Sequence, residues 1–138
     1  MSTYSPFSAK QLLPQEEKLE IAKHKSELFI GIPKEISYQE RRICLTPDAV
    51  SSLVSHGHRV MVECGAGKNA SFSDKDYSDA GAEVTHDTKK IFSCPIILKV
   101  EPPTLEEIDM MNMEAILISA IQLKTQKKEY FEAITKKK

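Results

Sequence analysis

Two hydrophobic rhythms alternate along this chain. Short runs rich in Val and Ile read as strands, and longer stretches with an apolar residue every three or four positions read as helices. The strand runs are Leu28–Ile32, Arg59–Glu63, Glu83–Thr85, Ile96–Val100 and Ala115–Ser119, the last two nearly continuous as buried parallel strands tend to be. Between them lie helix signals. Thr46-Pro47-Asp48 supplies an N-cap, a first-position proline and a first-turn acid, and Gly57 stands where the helix should close. Ser73 and Asp76 stand at capping-box spacing with Phe72 and Tyr77 as a hydrophobic staple, and Gly81 closes that short helix. A turn or two is expected over Asp87–Ser93, a helix capped by Thr104 and Glu107 comes next, and Thr125–Lys136 closes the chain with Tyr130, Phe131 and Ile134 inward.

This alternation predicts an α/β fold, a parallel sheet with helices on both faces, in a flavodoxin-like or Rossmann-like three-layer arrangement. Residues 1–27 stand apart as an extension with a polar helix opening at Pro14, in which Leu19, Ile21 and Ala22 are the few apolar members. Residues 28–138 form the domain itself. In such sheets the loops after strand C-termini line the ligand crevice. Here those loops are 33–42, 65–71, 101–104 and 120–124.

Composition narrows the functional classes. The chain has 138 residues, 41% hydrophobic and 28% charged, and a net charge of −1, so no strong field favours nucleic acid or an anionic membrane. The longest uncharged apolar run, Ala115–Leu123, is far too short to span a bilayer, and the N-terminus lacks a basic-then-apolar signal, so a cytoplasmic protein is expected. Cys44, Cys64 and Cys94 read as small buried residues in a reducing compartment. His56-x-His58 straddles Gly57 and reads as a surface turn, so no metal site is expected.

Gly65-Ala66-Gly67-Lys68-Asn69-Ala70 satisfies G-x-G-x-x-[GA] after a strand. A dinucleotide site needs a helix to start there at once. The capping signal comes only at Ser73, so a glycine turn is the better reading. Three other features carry candidate chemistry. The Glu40-Arg41-Arg42 loop could hold a carboxylate through a bidentate arginine, or be a solvated charged loop. Lys99 interrupts an apolar strand and needs a partner or a lowered pKa. Glu101, Gln122 and Lys124 end the neighbouring strands on the same edge as Arg42.

Gly31-Ile32-Pro33-Lys34-Glu35, Glu40, Arg42, Thr46-Pro47, Val50, Leu53 and Gly57 resemble the N-terminal signature of alanine dehydrogenases and nicotinamide nucleotide transhydrogenases. Gly65-Ala66-Gly67, Phe72-Ser73-Asp74, Tyr77, Ala80-Gly81-Ala82 and Ile97-Leu98-Lys99-Val100 continue the resemblance. It implies the N-terminal part of a discontinuous substrate domain in an NAD(P)-linked oxidoreductase, with alanine dehydrogenase, the reversible oxidative deamination of L-alanine to pyruvate, as the nearest activity. The NAD or NADP would be bound mainly by a Rossmann domain outside this chain, with no cofactor-binding residue within it. The partner would be a small anionic oxo or amino acid, the full-length enzyme a homo-oligomer, and the isolated chain inactive. Arg42 matches the arginine that holds the substrate carboxylate, with Lys99 a further substrate-binding candidate. The family's catalytic lysine and histidine positions read Glu101 and Gln122, which leaves the catalytic residues open. A transhydrogenase-like subunit and a non-catalytic binding module therefore stand as alternatives.

Overall fold

The structure, a computed structural model, describes residues 26–138. The helix expected within residues 1–27 falls almost wholly on positions outside the described residues.

Five strands form one parallel sheet: β1 (Phe29–Ile32), β2 (Arg59–Glu63), β3 (Glu83–Thr85), β4 (Ile96–Leu98) and β5 (Ile116–Ile118). Their order is β3-β2-β1-β4-β5. Of the two arrangements the sequence left open, this is the Rossmann-like one, and the strand order reverses between β1 and β4. The connecting helices are α1 (Pro47–Ser55), α2 (Asp74–Asp79), α3 (Thr88–Phe92), α4 (Leu105–Met110) and α5 (Lys128–Thr135).

The expected caps form. Thr46 accepts from the Ala49 N–H, and complete capping boxes close on Ser73/Asp76 and Thr104/Glu107. Phe72 and Tyr77 meet edge to face at 6.3 Å, as a staple across the start of α2 should. Each cap satisfies donors that a helix start otherwise leaves unpaired, worth about 1 kcal/mol apiece.

Alternation along the strands divides the core between two faces. Ile30, Ile32, Val60 and Val62 pack with Val50 of α1 and Tyr77 of α2 on one face. On the other, Met61 meets Ile91 and Cys94, and Ile97 meets Phe92 and Met111. Gly31 is required by the second layer, because a Cβ there would lie 2.5 Å from the Ile91 carbonyl oxygen. Helix α3 can therefore sit directly on β1.

One strand differs from expectation. Ala115–Ser119 reads as buried, yet Ile116 and Ile118 are 57% and 58% exposed. In register they continue the face of Ile96 and Leu98. The core under helices α1 and α2 reaches Ile96 and Leu98 of β4 on that face but includes no residue of β5. An apolar run specifies a strand suited to burial, but not which elements cover it.

Candidate functional site

β1 stops at Pro33, which has no N–H for a ladder, and the chain enters the loop to α1. Glu63 at the end of β2 holds the base of this loop, accepting from the Lys34 N–H at 2.7 Å and from Thr88 Oγ1 at 2.6 Å. Further on, Glu40 folds over Arg42. Its two oxygens accept from Arg42 Nε at 2.9 Å and Nη2 at 2.8 Å, and the first also takes the Arg42 N–H at 2.8 Å. The carboxylate is 7% exposed while the arginine side chain is 76% exposed. The side-chain bond from Arg42, then its backbone N–H, brings the Glu40 carboxyl down to about 2. Arg42 is pushed up in turn, first by Glu40 and to a smaller extent by the charges of Glu101 and Glu35. A guanidinium held this way is fixed on one edge and open on the other.

Across the reversal point, β4 ends at Leu98 and Lys99 turns inward. Its ammonium lies 2.8 Å from Glu35 and 3.8 Å from Glu107, with side chains 2%, 7% and 4% exposed. Glu35 also accepts the N–H groups of Val100 at 2.6 Å and, more weakly, Glu101 at 3.4 Å. Glu107 completes the cap of α4 by accepting from the Thr104 N–H. Burial pushes the Glu107 carboxyl above its ordinary value, against the Thr104 bond and the Lys99 charge. The need for a partner that the sequence exposed is met internally: the lysine clamps the loop after β1 to the loop after β4. With its ammonium so used, it presents no free charge to a ligand in this arrangement.

Glu101 and Gln122 come together. Both line a groove of about 480 Å3 between the loops after β4 and β5. Ser119 Oγ donates to the Glu101 carbonyl at 2.8 Å, and the Gln122 carbonyl accepts from the Thr125 N–H and Oγ1 at 3.0 and 2.9 Å. Gln122 is exposed and sits at φ 52°, a left-handed conformation that costs a residue with a Cβ about 1–2 kcal/mol. Arg42, Glu101 and Gln122 thus stand on the loops after three neighbouring strands, β1, β4 and β5, at the C-terminal edge of the sheet.

Other candidates are answered by packing. Gly65–Ala70 leads into a single 3-10 turn, Lys68–Ala70, instead of a helix. Gly67 serves the core, since a Cβ on it would lie 2.6 Å from the Tyr77 ring. The described residues therefore do not fit a pyrophosphate cradle at this turn. Burial pushes the Cys44 and Cys94 thiols up to about 11, and the bond to Asp74 raises Cys64, so none is a ready nucleophile. Only Cys94 is fully buried; Cys44 and Cys64 are half-buried. His58 anchors the start of β1 by accepting from the Leu28 N–H. Among the described residues no His, Cys, Asp and Glu group could hold a metal, and no helix is long and apolar enough to cross a membrane. The Glu35–Lys99 pair is the feature hardest to find from sequence, because 64 residues separate its members.

Comparison with known proteins agrees with this fold. The family model described as alanine dehydrogenase/PNT, N-terminal domain, matches residues 31–138. The alanine dehydrogenase of Bacillus subtilis is 41% identical over 96 residues, covering 70% of this chain and 25% of the relative. That of Staphylococcus haemolyticus is 39% identical over 99 residues, covering 72% and 26%. Among solved structures, an L-alanine dehydrogenase superposes with a TM-score of 0.74 at 38% identity, over 79% of this chain and 30% of that one. A transhydrogenase from Sinorhizobium meliloti gives 0.71 at 30% identity, over 77% and 31%. The chain thus spans about a quarter of the length of the curated relatives it matches.

Proposed function

The chain belongs to the alanine dehydrogenase/PNT N-terminal domain family, and from that premise we propose that it forms the substrate-binding portion of a longer NAD(P)-linked oxidoreductase. The observation that carries the reading is the open guanidinium of Arg42, oriented by Glu40 at the strand edge beside the reversal point. An arginine so placed can take the carboxylate of a small oxo or amino acid through its free N–H groups. The dinucleotide would be held mainly by polypeptide outside this chain, and once bound it supplies the hydride acceptor or donor. This chain's own contribution is to bind and orient the substrate.

Glu101 and Gln122 set the limits of that contribution. Glutamine does not exchange a proton near neutral pH, and a carboxylate repels a developing oxyanion. Proton transfer during an alanine-type reaction would fall to Glu101 or to a group outside this chain, with no cation at either position to meet the developing oxyanion. That favours a second reading, transhydrogenase-like hydride transfer between dinucleotides, in which no substrate amine or oxo group needs a proton. A shared assay separates them. The intact protein is incubated with NADH or NADPH and either a panel of oxo acids with ammonium or an oxidised dinucleotide analogue. Turnover with an oxo acid supports the first reading, and turnover with the analogue alone supports the second. Tight dinucleotide binding with neither turnover would reject both in favour of a regulatory module. The 138-residue chain by itself is expected to turn over nothing.

A further inference from the structure

The buried ion cluster around Lys99 stops one bond short. Glu107 uses one carboxylate oxygen on the Thr104 N–H at 2.7 Å. Its other oxygen lies 3.8 Å from the Lys99 ammonium, too far for a hydrogen bond, in a side chain only 4% exposed. A second buried group nearby is also unmatched. Tyr130 is 6% exposed, and its hydroxyl is the one buried side-chain polar atom without a hydrogen-bond partner among the described residues. Sealed groups of that kind are uncommon in native proteins. The fold sets the two side by side. Glu107 is the third residue of α4 and Tyr130 the third of α5, and the two helices pack together. Burial first, and then the Glu107 charge, push the Tyr130 hydroxyl up, so it keeps its proton at neutral pH. It is a donor in want of an acceptor, and the second Glu107 oxygen is an acceptor in want of a donor.

We propose that the Tyr130 hydroxyl donates to the free oxygen of Glu107, and that Tyr130 is thereby a positioning residue for Arg42, acting through Glu107, Lys99 and Glu35. The line is continuous. Glu107 and Glu35 both hold Lys99, Glu35 also takes the Val100 N–H, and the loop that Glu35 opens carries Glu40 and Arg42. The charge of Glu35 reaches Arg42, and Cys44 beyond it feels Glu35, Lys99 and Glu40 together. Without the phenol, Glu107 is held at one oxygen only and can turn about the Thr104 bond, which slackens Lys99 and the loop behind it. With it, the placement of α5 is felt at the arginine. A hydroxyl that stays unpaired makes the opposite prediction for stability. Removing an unmatched buried oxygen relieves the fold, whereas removing a matched one leaves its partner stranded. The proposal rests on the substrate-binding reading only for what Arg42 holds.

The test uses the 138-residue chain and reads Arg42 directly, so its failure is distinct from a failure of turnover in the intact protein. Tyr130→Phe should lower the folding equilibrium constant by roughly tenfold, the loss expected for a hydrogen bond to a buried charged group. In 13C-labelled protein the Glu107 carboxyl should titrate at higher pH in Tyr130→Phe, because its charged form has lost a donor. Lys99, Glu35 and Glu63 also act on that carboxyl and are the same in both proteins. The Arg42 Nε–H resonance should shift in Tyr130→Phe and, in the same direction, in Glu107→Gln, which alters the other end of the bond. Ile134→Val is the control. It loosens α5 by one methyl group where the helix faces Met111 and Leu117, and should leave both signals in place. A Tyr130→Phe protein as stable as the original, or more so, would overturn the bond, as would an unmoved Glu107 titration. An Arg42 resonance unmoved by either variant, or moved as far by Ile134→Val, would overturn the positioning role.

Discussion

Two cation–carboxylate pairs stand at adjoining strand ends, and the same interaction does opposite work in them. Glu35 and Lys99 are both buried, and Glu107 closes on the lysine from the far side. Glu40 is equally buried, but its partner Arg42 is largely exposed. In the first pair both charges are consumed, and the product is a fixed distance between two loops. In the second only the acid is consumed, and the product is a pre-oriented cation facing solvent. Residue type does not separate the roles, since either cation could bind an anion. Burial of the cation decides.

The largest expected effect comes from breaking the buried pair. Lys99→Met leaves Glu35 and Glu107 facing each other without a counter-charge, and removing one partner of a buried ion pair costs about 3–5 kcal/mol. Urea denaturation of the chain should show a correspondingly lower midpoint with little change in slope. Adding Glu35→Gln to Lys99→Met should recover part of the loss, because the amide oxygen still accepts the Val100 N–H while one buried charge disappears. A Lys99→Met protein as stable as the original would mean that the clamp is solvated and that the contrast between the pairs is false.

Arg42→Ala should divide stability from function in the opposite way. The exposed guanidinium contributes modestly to folding, and its loss leaves the Glu40 carboxylate with only the residue-42 N–H, so the denaturation midpoint should fall, but by clearly less than in Lys99→Met. In the intact enzyme the KM for a carboxylate substrate should rise by roughly ten- to a hundredfold, the loss expected for charge-assisted hydrogen bonds. Unchanged kinetics with every oxo acid tested would remove the arginine from the site.

Acid sharpens the comparison further, because the two carboxylates carry opposite linkage. Glu40 is depressed from 4.5 to about 2, so its stabilising contribution is complete above its unfolded value and is lost as pH falls through about 2. Glu107 is raised by burial, so its protonated form favours folding, and that contribution is present below 4.5 and lost as pH climbs through the folded value. Glu40→Gln should flatten the stability profile between pH 4.5 and 2. Glu107→Gln should flatten it above 4.5, read from midpoints across a pH series.

The sequence carried the local half of this picture. Capping boxes at Ser73/Asp76 and Thr104/Glu107 depend on residues three apart, so their spacing alone announced α2 and α4. The same holds for the alternation that marks β1 and β2. The order of strands was not legible, because any parallel α/β chain shows the same alternation whichever way its crossovers turn. Nor was the clamp. Lys99 announced only that it needed a partner, and Glu35 offered nothing to distinguish it from Glu40 five residues later. Arg42 became a candidate through family resemblance, since by residue type it is one charge in a charged loop. Its freedom depends on Glu40 folding under it, which only the fold reveals.

Gln122 offers the smallest effect and a finer cut between structural and functional cost. Among the described residues three non-glycine positions hold positive φ: Ser71 at 66°, Glu114 at 61° and Gln122 at 52°. Glycine relieves that strain in the folded state but adds freedom to the unfolded chain, so each substitution should stabilise by no more than about 1 kcal/mol. Ser71 and Glu114 lie away from the groove that Gln122 lines, and they serve as controls. If Gln122 is held in a left-handed turn only because the chain must bend after β5, all three glycine variants should gain alike and leave kinetics untouched. If its side chain is held there to meet a ligand, Gln122→Gly should keep the gain in midpoint and weaken substrate or dinucleotide binding severalfold in the intact enzyme. Glu114→Gly should then leave binding unchanged. A Gln122→Gly enzyme with unaltered constants would place the residue with Lys99, on the side of architecture.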